Sequence, residues 1–185
     1  MASKKLKQKI AHFLFNRKMR GHKRNPRTVS FEKARSIGIV YDATEEKDYE
    51  LVKNYVKEIR DQRKEVVALG YVDLLELPVM RFSKLGLDFF TRKDLTWYLK
   101  PNHHIVTKFT EQDFDILINL DTQKCFPVNY VSVLSNARFK IGKYDKKNSR
   151  FCDFLIKTDE NTSLRQFIDH INHYIRFIGN VKAAE

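Results

Sequence analysis

Acidic side chains are missing from the first 31 residues, where ten lysines and arginines stand without one aspartate or glutamate. A stretch charged with a single sign repels itself and cannot close internal ion pairs, so its natural counterpart is a polyanion. Taking those ten from the chain's 35 basic residues leaves 25 against 23 acids, so the net charge of +12 is concentrated at the amino terminus. Cysteine is scarce too. Cys125 and Cys152 are too few for a disulfide framework, and two thiols alone do not complete a zinc site. An intracellular chain with reduced thiols is the simpler expectation. YDAT follows the first strand pattern where G-x-G-x-x-G would stand, and G-x-x-x-x-G-K-[ST] occurs nowhere, so nucleotide binding through a glycine loop has no support. No apolar run reaches the roughly 18–20 residues that a membrane span needs. The apolar piece at 10–15 is interrupted by His12 and followed by more positive charge, which does not fit a secretory signal. A transit peptide fits poorly as well, because Lys outnumbers Arg there and serine is rare. A cytoplasmic location is expected.

What is present is globular: 42% hydrophobic and 12% aromatic residues, with no internal repeat. Residues 4–20 predict a helix with Leu6, Ile10, Phe13 and Leu14 on one stripe and basic residues elsewhere. Gly21 ends it, and GHKRNPR (21–27) predicts an extended linker exposed to solvent or ordered by a ligand. Strand patterns follow at 36–43 (SIGIVYDA), 65–73, 85–90, 114–120, 138–144 and 151–157. Helices are expected from a Thr44 cap to about 63, in a short piece after Thr91 that contains Leu95, Trp97, Tyr98 and Leu99, from Pro127 to about 136, and from 164 to before Gly179. LLELPVMRF (74–82) reads as a loop or an edge strand, since Pro78 bars a central one. Alternating strands and helices predict an α/β fold: a single Rossmann-like three-layer sandwich with a mainly parallel sheet, preceded by a basic N-terminal helix and arm. The arm is assigned to 1–35, the α/β domain to 36–180 and a short tail to 181–185.

Such sheets bind ligands at the carboxyl ends of their strands, which directs attention to Asp42, Asp73 and Asp121; the bland reading is that each caps or turns its own loop. His103 and His104 are adjacent and would diverge on a regular element, which suits a polar loop after Pro101. His170 and His173 lie at i, i+3 near Asp169 with no third ligand close in sequence, Cys125 has no assignable histidine, and Ser132 and Ser135 are not in a G-x-S-x-G elbow. No catalytic residue, metal site or cofactor is expected.

Taken together, the basic amphipathic start, SIGIVYDA, LGLDFF, FDILINL and FPVNYVSVLSNARFKIGKY, with the terminal amphipathic helix, resemble a family of small α/β proteins from Bacteroidetes-type bacteria. That family is a domain of unknown function and implies no activity. Over about 30 residues, FDILINL and YVSVLSNARFKIG are also similar to one Rossmann-like half of heptosyltransferase-type glycosyltransferases. That resemblance implies an inherited scaffold, since neither a catalytic acid nor a nucleotide loop can be matched.

The charge placement points to RNA. Lys4, Lys5, Lys7, Lys9, Arg17, Lys18, Arg20, His22, Lys23, Arg24 and Arg27 are the expected RNA-binding residues, releasing counterions as they neutralise phosphates. His12, Phe13 and Phe15 are interleaved with them and are the candidates for base stacking. A near-neutral body with a basic terminal arm is an arrangement many ribosomal proteins resemble, so ribosomal RNA and ribosomal proteins are the expected partners; no DNA sequence reader is evident. The alternative is an anionic membrane surface, with Leu6, Ile10, Phe13 and Leu14 inserting at about 1.5–3 kcal/mol each. GHKRNPR favours RNA, because its charge continues with nothing apolar to insert.

Overall fold

The computed structural model describes residues 4–79, 81, 86–146 and 148–178, without the side chains of residues 4, 5 and 8. In chain order the elements are α1 (Lys4–Gly21), β1 (Ser36–Asp42), α2 (Glu46–Asp61), β2 (Glu65–Val72), β3 (Leu87–Thr91), α3 (His104–Glu111), β4 (Ile116–Asn119), α4 (Phe126–Leu134), β5 (Phe139–Lys143), β6 (Phe154–Ile156) and α5 (Leu164–Ile175). The strands form one sheet in the order β3-β2-β1-β4-β5-β6, with every neighbouring pair parallel. This is the strand order of the doubly wound dinucleotide-binding fold, and it bears out the Rossmann-like expectation. Central strands of such a sheet are covered on both sides, which explains why β1 and β4 are apolar almost without interruption.

One face of the sheet packs Ile37, Ile39, Ile116, Ile118 and Ile141 against α2 and α5. Both helices carry the stripe this requires: Val52, Tyr55, Val56 and Ile59 on α2, and Leu164, Phe167, Ile168, Ile171 and Ile175 on α5. The opposite face packs Val40, Leu69 and Leu117 against Val106 and Phe109 of α3 and Val128 and Val131 of α4. A third cluster completes that layer, joining Phe15 of α1 to Tyr130 and Val133 of α4 and to Phe151 and Cys152 before β6. Among its described residues, the β5–β6 connection has only a 3₁₀ turn at Asn148–Arg150 where a doubly wound fold would carry a crossover helix. Helix α1 fills that place. Its His12 meets Phe126 at the start of α4, and His22, just past its end, meets Ser135 at the end of α4, so the two helices run in parallel. Arm and body, expected as separate units, therefore share a core.

Several local expectations are corrected. Thr44 does not cap α2; Glu45 stands there without a side-chain bond, and Thr44 Oγ1 instead accepts from the Asp73 N–H at 2.9 Å. Thr91 and Asp94 form a capping box on a single 3₁₀ turn, but residues 95–101 form a tight hairpin bridged from Leu95 to Pro101, not a helix. The polar loop expected around His103 and His104 is the start of α3, with His103 Nδ1 accepting from Ile105 N–H at 3.3 Å. Residues 73–79 form a loop, so the edge-strand option for that stretch fails; Met80, Phe82, Leu85, Gly179 and the 181–185 tail lie outside the described residues.

Candidate nucleic-acid interface

The face that α1 turns inward is not the one its sequence suggests. Leu6 and Phe13 of the expected stripe are 49% and 66% exposed, whereas Ala11 and Phe15 are buried. Phe15 lies with its ring centroid 5.4 Å from Phe126, 5.7 Å from Tyr130 and 6.4 Å from Phe151. The reason is volume: the gap beside α4 accepts one ring flanked by a small residue one turn earlier, and Ala11 and Phe15 supply that pair at i, i+4. Arg150 Nη1 adds a bond to Asn16 Oδ1 at 3.0 Å.

The linker after α1 is extended but fastened to the body. His22 Nε2 lies 3.1 Å from Ser135 O, and burial lowers its pKa below the ordinary histidine value. Arg24 donates to Ala137 O at 3.3 Å, to Arg138 O at 3.2 Å and to Asp153 Oδ1 at 2.5 Å. The Arg27 N–H donates to Arg138 O at 2.9 Å. Val29 and Phe31 then pack against the α2–α5 core, so the chain crosses beneath the amino ends of the strands before it enters β1.

These contacts sort the expected RNA-binding residues. Lys7, Lys9, Arg17, Lys18, Arg20, Lys23 and Arg27 are exposed, and among the described residues none of the seven pairs with a carboxylate. Arg24 is consumed by Asp153 and two carbonyls, and His22 is engaged with Ser135 O, its pKa lowered by burial. The side chains of Lys4 and Lys5 lie outside the described residues. Of the stacking candidates, Phe13 presents an open ring, His12 stands edge-on to Phe126 at 5.3 Å, and Phe15 is a core residue that no base can reach. Helical spacing sets Lys9, Phe13, Arg17 and Arg20 on one outward side, about 17 Å from first to last at 1.5 Å per residue.

Beside this ridge, a groove of about 520 Å³ runs between α1, α4 and the 95–101 hairpin. Arg17, Lys18, Lys23 and Lys100 line it with Tyr98 and Tyr130, and among the described residues no carboxylate does. The linear reading missed the body's share of this groove. The sequence pattern puts Tyr98 on a helix, Tyr130 and Lys100 carry no signal, and only the fold brings 98–100 beside 17–23.

The carboxyl ends of the strands are occupied by the chain itself. Asp42 Oδ1 accepts from Thr44 N–H at 2.9 Å. Asp73 accepts from Arg92 Nε at 3.0 Å and from the Tyr71 hydroxyl at 2.7 Å, and the Arg92 bond leads in lowering its pKa. Asp121 is buried and accepts from Gln123 N–H at 2.9 Å and Asn129 Nδ2 at 2.7 Å; burial pushes its pKa up to about 6 against those bonds. The buried guanidinium of Arg81 donates to Ala43 O, to Thr44 O at 3.2 Å and to Glu46 Oε2 at 3.0 Å, with the Tyr49 ring 5.3 Å away. Sequence gave no warning of Arg81, which comes from the ambiguous 74–82 stretch. Where dinucleotide folds present free helix N-termini to phosphate, α2 has Glu46 and Asp48 in its first turn and α4 has Asp121 at its start. Burial raises the pKa of the Cys125 thiol, and His170 and His173 are exposed on α5. Among the described residues, no group of His, Cys, Asp or Glu is arranged to hold a metal ion, and no helix is long and apolar enough to cross a membrane.

A family model matches residues 7–178, from the first turns of α1 to just past α5. The chain belongs to a family of unknown function, DUF6913. The match takes in the helix, its linker and the sheet together, as the shared core does. No curated protein and no solved structure matches the chain.

Proposed function

We propose that this protein binds RNA without catalysing a reaction, docking on ribosomal RNA and its proteins through the outward side of α1 and the linker behind it. One observation carries the reading: seven exposed cations, without carboxylate partners among the described residues, stand on a segment whose other side is pinned to the body. A pinned helix presents its charges in a fixed array, so phosphates meet them without the ordering cost of a free tail. The sheet's usual ligand crevice adds support, because the acids at α2 and α4 repel a phosphate there and Arg81 is already bound to Ala43, Thr44 and Glu46. The resemblance to one half of a glycosyltransferase then fits a scaffold kept without its nucleotide.

A second reading, attachment to an anionic membrane surface, draws on Leu6 and Phe13, which face outward beside Lys9 and Arg17. The docking of α1 weakens it, since inserting two side chains at about 1.5–3 kcal/mol each offers less than inserting four. Sedimentation of cell lysate through sucrose gradients, after clearing membranes, tests both. The RNA reading expects co-migration with a ribosomal subunit that weakens as salt rises, and its loss in a Lys9→Glu, Arg17→Glu, Arg20→Glu variant. Recovery of the protein from the membrane pellet, abolished by Phe13→Ser, would replace RNA with lipid.

A further inference from the structure

We infer that the groove between α1 and the 95–101 hairpin is a single-strand site, in which an unpaired RNA base stacks on Tyr98 while its phosphates lie on Arg17, Lys18, Lys23 and Lys100. The inference rests on the RNA reading and adds a preference that the ridge alone does not supply: unpaired over duplex RNA. A volume of about 520 Å³ lies in the range of small-ligand pockets. Four cations and the half-buried Tyr98 ring line it over the buried Tyr130, with no carboxylate among the described residues, the combination that single-strand binders use, where basic groups follow the backbone and an aromatic ring takes a base.

The hairpin is built to hold that ring in place. Thr96 N–H donates to Lys100 O at 2.9 Å, Leu99 N–H to Thr96 O at 2.9 Å, and Lys100 N–H to Thr96 Oγ1 at 3.1 Å. Leu99 takes φ of +65°, a left-handed conformation that strains a non-glycine residue. That turn lets Tyr98 and Lys100 line the groove beside α1, while Leu99 lines a neighbouring pocket with Ala11 and Phe15. Trp97 stands edge-on to Tyr98 with ring centroids 5.3 Å apart and is 57% exposed, so a second base has a ring to meet. Gly21 lines the groove, and a Cβ added there would touch nothing within 4 Å, so the groove can be filled without disturbing its walls.

Trp97 is the chain's only tryptophan, which makes its fluorescence a direct reporter. The probes are a ten-nucleotide unstructured RNA and a ten-base-pair RNA hairpin stem, titrated into the full chain at fixed salt. The wild type is expected to bind the single strand more tightly and to lose Trp97 emission on doing so. Tyr98→Ala and Gly21→Leu should each weaken single-strand binding by about 5- to 100-fold and leave stem binding within about twofold, and Tyr98→Phe should restore the wild-type value. Stem binding also verifies that each variant is folded. Equal single-strand affinity in Tyr98→Ala and the wild type, or unquenched Trp97 in the saturated complex, would overturn the groove site while leaving the basic ridge intact. A wild type that binds neither probe overturns the RNA reading itself.

Discussion

Helices α1 and α5 are both amphipathic and both pack on the sandwich, yet they use their surfaces in opposite ways. Over 12 residues α5 buries five apolar side chains against the sheet, whereas α1, among its described side chains, buries only Ala11 and Phe15. A helix that spends so little of its surface on packing leaves most of its side chains for another partner. On α1 those side chains are cations, and its inner contacts are enough to fix their direction but not to employ them.

This contrast can be broken by substitution. Phe167→Ala in α5 empties a fully buried site under the sheet, and a loss of about 3–5 kcal/mol in global stability is expected by denaturant unfolding. Phe15→Ala in α1 should cost about 3 kcal/mol locally, seen in hydrogen exchange as loss of protection in α1 while β1 and β4 keep theirs. The matched change Phe13→Ala should stay within about 0.5 kcal/mol, because that ring already faces solvent. Equal effects at 13 and 15 would mean that α1 is not docked as described.

The floor under α1 holds a further test. Lys140 is 1% exposed and donates to Ser132 O at 2.7 Å at the end of α4; burial lowers its pKa to about 7, with Arg24 adding to the effect. A folded-state value below the unfolded one means that the unfolded chain binds more protons between those values, so stability rises with pH above about 7. The slope from this group reaches about 1.4 kcal/mol per pH unit and should be followed to about pH 9.5, before the tyrosines titrate. Lys140→Met should flatten it. An unchanged slope in that variant would show that the amine is not held under α1.

The strands were legible because a buried parallel strand has no polar side, so SIGIVYD and ILIN could hardly be anything else. Helix α3 was not. HIVTKFTE is short and β-branched, and its helicity comes from Val106 and Phe109 packing in the core beneath it. The inner side of α1 departs from its hydrophobic pattern for a related reason. Leu6, Ile10, Phe13 and Leu14 are the better stripe by hydrophobicity alone, but docking selects by shape, and the space beside α4 accepts Phe15. Half of the candidate site was readable as a run of charge; the residues that join it from the body were not.

Composition by itself determined that this chain would fold around a covered parallel sheet and carry its excess positive charge at one end, since burial and self-repulsion depend on residue type and local spacing. The direction in which that charge points was decided only in three dimensions. It follows from which ring fits the gap left by the helix-less β5–β6 connection, from the bond between Arg24 and Asp153, and from a hairpin that brings Tyr98 and Lys100 beside residues some 80 positions earlier. Complementarity between distant surfaces is a property of packed volume, and no local pattern encodes it.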